Sequence, residues 1–293
     1  MVRPHRFRVN AETAADNRFQ SPTGSGAGLS RSAHREITVA AATLERAGVS
    51  VHLFEDESAD TPDSVFPNNW FTTHAGGRVA VYPMKAASRR AERRADVVEL
   101  LKSRYRVQEV VDYSGFERDG LFLEGTGAMV FDNVERVAYV ARSDRADPVL
   151  LERFCAHFGF EPMVFDAADE EGVAVYHTNV MMCVGTDFAL VALEMIGDGR
   201  RRAEVADRLR RSGRRVVEVS RVQVRRFVAN ALELRGGNGR LLALSTTAAA
   251  ALDRTQLAAI EESVSVVALD MPTIEMAGGS VRCTLAGIHL APR

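Results

Sequence analysis

The chain has 293 residues, of which 46% are hydrophobic and 26% are charged, a composition that is ordinary for a globular protein with a sizeable core. A formal net charge of -2 excludes a strongly basic surface, so neither nucleic acid nor an anionic membrane is an expected partner. The absence of a long apolar segment or a secretory signal, and three cysteines without a paired spacing, predict a cytoplasmic protein without a disulfide framework.

The apolar periodicity and the turn signals predict a helix over 35–47 and a strand over 49–54, followed by a recurring unit of strand, strand, helix and strand. The four copies of this unit are predicted over 66–111, 121–165, 173–219 and 228–269. Their first strands are predicted over 66–73, 121–131, 173–184 and 228–235, and their helices over 88–103, after Pro148, over 203–211 and over 247–262. The second strands begin at positions 78, 136, 188 and 240, and this regular spacing indicates a repeat architecture.

The two ends of the chain supply the parts of one further unit. The C-terminal segment 276–290 is predicted to contribute strands, and the N-terminal segment contributes a helix and a strand. Pairing of the two ends would close the repeats into a ring and leave no open stack that needs caps. We therefore predict an α/β fold, a closed five-bladed α/β propeller of ββαβ units in which the N- and C-termini complete the fifth unit, as a single catalytic domain over 1–293.

A ring of equivalent units directs the ends of its first strands toward a common axis. The sequence places polar or reactive residues at these ends: Asn68 and Asn69, Glu124, His177, the glycine-rich segment 236–238, and Cys283. We therefore expect a thiol, an imidazole, a carboxylate and carboxamides to converge on one cavity.

Cys283 is the best candidate for a nucleophile. It follows Gly278-Gly279-Ser280-Val281-Arg282, in which the glycines permit close approach to the backbone and Arg282 supplies a positive charge. Cys155 and Cys183 lie in a predicted helix and a predicted apolar strand, and we interpret both as core residues.

A cysteine, a histidine and a carboxylate can perform substitution at a planar carbon. The thiolate attacks, the histidine protonates the leaving amine, and the histidine then deprotonates the water that releases the covalent adduct. The carboxylate either orients the histidine or binds a cationic substrate. Papain-like proteases use similar groups, but their local cysteine signature is absent from this chain.

Nearly the whole chain resembles the guanidino-group-modifying superfamily, which includes arginine deiminases, dimethylarginine dimethylaminohydrolases, dihydrolases and amidinotransferases. The segments that carry the resemblance are Gly278 to Cys283, Leu123-Glu124-Gly125, Phe66 to Phe71, Tyr176 to Met182 and Pro272 to Glu275. The chain is most similar to the bacterial citrulline-utilisation hydrolases, which are amidinotransferase-like. The resemblance implies a five-bladed propeller with Cys283 as nucleophile, His177 as general acid and base, and Glu124 as the substrate-binding carboxylate.

The chain departs from the deiminases of this superfamily at the positions that bind the guanidinium. Those enzymes carry acidic residues where this chain has Asn68, Asn69 and Asn179. A carboxamide can donate to a ureido oxygen and accept from its NH groups, whereas the loss of negative charge weakens selection for a cation. We therefore expect hydrolysis of citrulline, or of arginine through citrulline, to ornithine and ammonia, and the alternative is that these asparagines only hold turns.

An amino-acid substrate also needs a partner for its carboxylate, and Arg142, Arg240 and Arg282 are the predicted candidates. No cluster has the spacing of metal ligands, so we predict neither a metal nor a cofactor. The expected partner is a small-molecule substrate, and the sequence is compatible with a homodimer.

Two other functions remain open at this point. An amidinotransferase would pass the covalent adduct to an amine instead of water. A non-catalytic binding protein, as in the ribosome anti-association factors that share this propeller, would use the surface of the same fold.

Overall fold

The computed structural model of the chain describes residues 1–21 and 27–293. The strands are β1 (Val2–Pro4), β2 (Phe54–Asp56), β3 (Phe71–His74), β4 (Arg78–Val81), β5 (Glu109–Asp112), β6 (Met129–Asp132), β7 (Val137–Ala141), β8 (Glu161–Phe165), β9 (Met182–Val184), β10 (Phe188–Val191), β11 (Arg215–Glu218), β12 (Leu232–Gly236), β13 (Gly239–Ser245) and β14 (Ser265–Leu269).

Helices connect these strands. They are α1 (Ala27–Arg46), α2 (Ala87–Arg90), α3 (Ala95–Arg104), α4 (Gly125–Ala128), α5 (Pro148–Phe158), α6 (Gly199–Arg210), α7 (Arg221–Arg225), α8 (Thr246–Ala249), α9 (Arg254–Glu261), α10 (Pro272–Glu275) and α11 (Val281–Thr284). Short 3₁₀ turns lie at Ala11–Thr13, Pro67–Asn69, Ser114–Asp119, Thr178–Val180 and Leu193–Met195. None of the helices in this described part combines the length and apolar composition of a transmembrane segment.

The described residues form four three-stranded sheets and one two-stranded sheet. In each three-stranded sheet the middle strand runs antiparallel to the first strand and parallel to the third, as in the order β3-β4-β5. A helical segment makes the crossover between the two parallel strands, because a parallel pair cannot be joined by a tight turn. The four predicted copies of strand, strand, helix and strand are therefore confirmed.

The second unit shows why the sequence folds in this way. The Asp147 side chain accepts the amides of Val149 and Leu150 at the start of α5, and Gly159 ends the helix with a φ of 71°. One face of α5 packs Phe154 and other apolar side chains against β7, all five residues of which are buried. Burial of one such large apolar side chain contributes about 2 to 3 kcal/mol.

The two ends of the chain share one hydrophobic cluster. Ile37 and Leu44 of α1 pack with Ile274 and Val281 from the C-terminal segment. Glu36 of α1 also accepts the backbone amides of Thr273 and Ile274, at 3.0 Å from each, and so caps the start of α10. The N-terminal helix and the C-terminal segment thus pack against each other.

Four sequence-based assignments were wrong. The first strands are shorter than expected, because the segments before β3, β6 and β9 form single helical turns. The C-terminal segment predicted as strands contains α10 and α11. The helices predicted over 88–103 and 247–262 are each broken into two, and the strand predicted over 49–54 is observed as β2 at Phe54–Asp56, paired in parallel with β1.

Candidate functional site

The polar residues singled out in the sequence lie on single helical turns instead of strand ends. Glu124 is the N-cap of α4, His177 is the N-cap of the 3₁₀ turn before β9, and Cys283 lies within α11. Asn69 ends the 3₁₀ turn before β3. The turns at Asn69, Glu124 and His177 each lie just before the first strand of a unit, and these first strands, β3, β6, β9 and β12, are called the inner strands below; Cys283 lies in the C-terminal segment.

Glycines permit these turns to approach one another. A Cβ on Gly127 would lie 2.4 Å from Asn69 Oδ1 and 2.7 Å from a ring atom of His177. A Cβ on Gly279 would lie 2.7 Å from the Phe66 ring and 3.2 Å from the Cys283 Cβ. No side chain fits at either position without displacing a residue of the site, so the glycines are required by close approach.

His177 and Glu124 form a buried pair. His177 Nε2 lies 2.8 Å from Glu124 Oε2, and the guanidinium of Arg145 donates to the same oxygen at 3.1 Å. The backbone amide of Lys85 donates to Glu124 Oε1 at 3.0 Å. Glu124 is thus held by its neighbours and in turn fixes the orientation of the imidazole.

The charges in this cluster shift its acid–base properties. Burial raises the pKa of Glu124, but Arg145, His177 and Arg89 outweigh burial and bring the net pKa below its ordinary value. Burial lowers the pKa of His177, and Glu124 opposes this change only in part. Glu124 is therefore ionised and His177 is readily neutral, the form that can accept a proton.

The Cys283 thiol is buried among carboxamides. Its Sγ lies 3.4 Å from Asn230 Nδ2 and 3.6 Å from Asn179 Nδ2. Asn230 Nδ2 also donates to the backbone oxygen of Asn179 at 3.1 Å, which fixes both side chains relative to the sulfur. Amide donors at these positions can stabilise negative charge on the sulfur.

Asn230 was not predicted from the sequence. In the fourth repeat, segment 236–238 was expected to reach the site, but that segment forms the β12–β13 hairpin. Asn230 stands just before β12, as Asn179 stands just before β9, so counting residues to the start of the inner strand would have found it.

A narrow pocket joins these groups. Its volume is about 20 Å³, which accommodates about one water molecule. Cys283, His177 and Asn69 line it, and so do three charged residues that the sequence analysis did not select: Asp63, Arg89 and Arg145. Among the described residues, Asp63 Oδ1 and Asn69 Oδ1 are buried without a hydrogen-bond partner, which leaves two acceptors available in the pocket wall.

Arg89 and Glu92 are buried together within the arginine-rich run 89–94. Arg89 is only 2% exposed and donates to Glu92 at 2.9 Å. Burial raises the pKa of Glu92 to about 8, although Arg89 opposes this rise. Arg89 and Glu92 are thus directed inward, whereas Arg90, Arg93 and Arg94 stay partly exposed.

The segment 10–21 covers the pocket. Asp16 accepts from Arg145 Nε at 3.1 Å and lies 3.4 Å from the Lys85 ammonium. Asn17 donates to the backbone oxygen of Ala277 at 3.3 Å, and the Ser21 amide donates to Met276 at 2.9 Å. Thr13 and Asn17 of this segment line the pocket directly.

The remaining predicted residues lie elsewhere. Arg142 is exposed and pairs with Asp166 at 3.0 Å, and Arg240 pairs with Asp187 outside the pocket. Arg282 points into a different cavity. Asn68 is fully buried and donates to Thr126 Oγ1 at 3.3 Å behind the pocket wall. Arg142, Arg240 and Arg282 therefore do not contact the space beside Cys283, because each is directed away by its strand or turn.

One group of potential metal ligands occurs in residues 1–21 and 27–293. His5, His34 and Glu55 bring ligand atoms within 4.8 Å of one another at the surface. Arg3 pairs with the same Glu55 carboxylate, which opposes the binding of a cation there. We assign no metal to this group.

Comparisons with solved structures identify the fold. The N-terminal domain of ArgZ bound to substrate, an arginine dihydrolase from the ornithine–ammonia cycle in cyanobacteria, is 16% identical with a TM-score of 0.75, and the match covers 97% of this chain and 95% of that domain. The ternary complex of AgrE with ornithine and NAD⁺ is 15% identical with a TM-score of 0.75, and the match covers 97% of this chain but 38% of AgrE. A dimethylarginine dimethylaminohydrolase adduct with S-methyl-L-thiocitrulline is 13% identical with a TM-score of 0.65, over 97% of this chain and 96% of that one.

These neighbours are guanidino-modifying enzymes of the pentein superfamily, as the sequence resemblance implied. No curated protein matches the chain by sequence. The family model described as N,N dimethylarginine dimethylhydrolase, eukaryotic, matches residues 3–290, which is nearly the full length. The chain therefore belongs to this family of the guanidino-modifying enzymes.

Proposed function

We propose that the protein is a cysteine-dependent hydrolase of a C–N bond in the guanidino or ureido group of an amino-acid substrate. One observation carries the proposal: Cys283, His177 and Asn69, which has an unpartnered oxygen, line a single pocket, and Glu124 holds His177 from outside its lining. Family membership and the similarity to an arginine dihydrolase and a dimethylarginine dimethylaminohydrolase support it.

The roles follow from the contacts. His177 takes the thiol proton as the Cys283 sulfur attacks the planar carbon and forms a C–S bond, and it passes this proton to the leaving ammonia as the C–N bond breaks. His177 then takes a proton from water, the C–O bond forms, and the C–S bond breaks. Glu124 keeps the imidazole oriented and stabilises its protonated form, and Asn179 and Asn230 donate toward the sulfur.

The pocket wall supports a substrate with NH groups at one end. Asn69 and Asp63 offer free acceptor oxygens. At the position of Asn69 the deiminases carry an acidic residue, whereas this chain has a neutral carboxamide. We infer that arginine is converted to citrulline and ammonia, and that citrulline is hydrolysed further to ornithine, ammonia and carbon dioxide. This preference rests on the neutral carboxamides, which bind a guanidinium and a ureido group with less discrimination than a carboxylate does.

The substrate carboxylate requires a cation, and we assign this role to Arg145 with Arg89 in place of the three arginines expected from the sequence. Both guanidinium groups line the pocket and are almost fully buried. Arg145 uses one nitrogen on Glu124 and the other two on Asp16, so it can exchange Asp16 for a substrate carboxylate without losing Glu124.

We also propose that the five sheets close into a five-bladed ring. The shared cluster of α1 with the C-terminal segment and the capping of α10 by Glu36 support this closure. Closure would set the polar turns around a common axis, which is the arrangement that the pocket requires.

Product analysis tests the function. Purified protein is incubated in parallel with arginine, citrulline and dimethylarginine, without an acceptor amine, and ammonia and ornithine are measured. The expected result is ammonia from arginine or citrulline, and a loss of roughly 10⁴-fold or more in Cys283→Ala. Unchanged ammonia release in Cys283→Ala would exclude a cysteine-dependent hydrolase.

The Asn69→Asp variant tests the carboxamide. A carboxylate at this position should favour the cationic guanidinium and shift the ratio of arginine to citrulline turnover toward arginine by about tenfold. Asn238→Asp, at an exposed position of the β12–β13 hairpin, adds the same charge as a control. Equal ratios in the wild type and Asn69→Asp would contradict the assignment.

A further inference from the structure

A second cavity lies at the far end of the inner strands. Strands β3, β6, β9 and β12 start beside the catalytic pocket and run to this cavity, which has a volume of about 230 Å³. It is also lined by Arg282 and by residues 286, 287 and 289. The two cavities share no lining residue, so they are separate binding spaces at opposite ends of the inner strands.

Arg282 lines this cavity. Among the described residues, its side chain makes one hydrogen bond, a long one to the backbone oxygen of Leu285 at 3.4 Å. Within residues 1–21 and 27–293, no carboxylate oxygen lies within 4.0 Å of it. Burial lowers the pKa of Arg282, although the nearby Cys183 and Cys283 thiols oppose this effect.

The other arginine that lines the cavity, Arg214, is paired with a carboxylate. Arg214 uses two of its nitrogens on the Asp132 carboxylate, one of them at 2.8 Å, and its Nε on the backbone oxygen of Gly185 at 2.8 Å. Arg282 offers the same planar set of donors but leaves most of them free. A partly buried cation without a partner is less favourable than a paired one, so an anion in the cavity would stabilise it.

The titratable neighbours do not supply this anion. The Glu233 carboxylate accepts from the Thr186 amide and hydroxyl and lies 3.8 Å from Arg240. Burial lowers the pKa of His74 to about 3 and also lowers the pKa of His289, so both rings are neutral at physiological pH. The cavity therefore presents one free positive charge at Arg282.

The remaining wall selects among anions. Phe71, Phe131, Ala231 and Ala286 form apolar surface beside the guanidinium. A guanidinium binds a carboxylate through two parallel hydrogen bonds, and an apolar wall favours a short alkyl chain over water. We propose that this cavity binds a small organic carboxylate, held by Arg282 and packed against the apolar wall. The proposal does not depend on the function assigned to the catalytic pocket.

Calorimetric titration with sodium butyrate tests the proposal, with sodium chloride at equal ionic strength as competitor. Butyrate has no C–N bond to hydrolyse, so the wild-type protein is titrated. Butyrate should bind this protein, and chloride should weaken its affinity less than threefold. If chloride and butyrate bound with equal affinity, the cavity would be a simple halide site and the proposal would be overturned.

Matched variants locate the binding. Arg282→Gln should weaken butyrate binding by about tenfold or more, because it removes a charged hydrogen-bond donor. Arg282→Lys keeps the charge without the planar set of donors, so its butyrate affinity should lie between those of the wild type and Arg282→Gln. It replaces Arg282→Gln as the test if that variant does not fold. Arg106→Gln, at an exposed position, is the control for a lost positive charge and should bind as the wild type does.

Arg145→Gln separates the two cavities. Butyrate binding that survives in Arg145→Gln but not in Arg282→Gln supports the second cavity. The reverse pattern would place the carboxylate in the catalytic pocket and overturn the proposal. A failure of the proposed hydrolase function would change neither result.

Discussion

The protonation states of the buried titratable residues depend on their immediate partners. Glu124 is ionised because Arg145 and His177 surround it, whereas the carboxyl of Glu92 is held closer to neutral by burial. His74 has no carboxylate beside it among the described residues and lies among the rings of Phe131 and Phe158. Its ring therefore remains neutral in the folded protein.

His74 makes stability depend on pH. Burial lowers its folded-state pKa to about 3, whereas the unfolded chain has a pKa near 6.5. Because the unfolded state takes up the proton first, stability is lost as pH falls below about 6.5. Between pH 7 and pH 5 this residue should reduce the free energy of unfolding by about 2 kcal/mol.

Urea denaturation at pH 7 and pH 5 measures this effect. His74→Gln should lose about 2 kcal/mol less than the wild type between the two pH values. His157→Gln, whose side chain is exposed, should keep the wild-type dependence. If His74→Gln and the wild type lose the same stability, His74 is not the residue responsible.

The segment 10–21 acts at the scale of an element, because it closes a pocket that the turns before the inner strands create. Its main anchor is Asp16, whose carboxylate pairs with the buried Arg145. Burial raises the pKa of Asp16, but Arg145 and Lys85 outweigh it and bring the net pKa below its ordinary value. The ionised carboxylate thus occupies donors that we assign to the substrate carboxylate.

Asp16→Asn should open the pocket more often. Loss of this partly buried ion pair is worth about 1 kcal/mol, so alkylation of Cys283 by iodoacetamide should become about three- to tenfold faster. Peptide mass spectrometry measures the rate at Cys283 itself. Arg18→Gln breaks exposed pairs on the same segment and should change the rate less than twofold. Equal rates in Asp16→Asn and Arg18→Gln would contradict the anchoring role of Asp16.

At the scale of the whole molecule, neighbouring sheets are joined by buried polar contacts as well as by apolar packing. Asp132 at the end of β6 and Arg214 just before β11 form an ion pair with side chains no more than 1% exposed. Asp132 also accepts the amides of Val134 and Glu135 and so fixes the β6–β7 turn. The pair joins the second sheet to the third.

Asp132→Ala should be strongly destabilising, by about 3 to 5 kcal/mol, because it leaves Arg214 buried without its partner. Urea denaturation at pH 7 measures the change. Arg215→Gln breaks the exposed pair with Glu262 near the same strand and should cost less than about 1 kcal/mol. A similar small effect in both variants would show that the buried pair does not stabilise the contact between sheets.

The sequence by itself determined the repeat and its most reactive residues. The order of strand, strand, helix and strand follows from local apolar periodicity, and Cys283, Glu124 and His177 stand at the boundaries of its units. Chain order alone does not give the lengths of the inner strands, because single helical turns and strands bury similar short apolar runs. The C-terminal segment was assigned to strands for this reason.

Only the tertiary structure decided which charged residues border the pocket. Arg89, Arg145 and Asp63 look like ordinary surface charges in an arginine-rich chain, and Asn230 has no local signal beyond its distance from β12. Their burial depends on contacts between residues far apart in the sequence, such as Arg145 with Asp16 and Glu124. The apolar periodicity of the sequence indicates which face of a helix or strand is apolar. The pairing of buried charges is fixed only when separate units pack together.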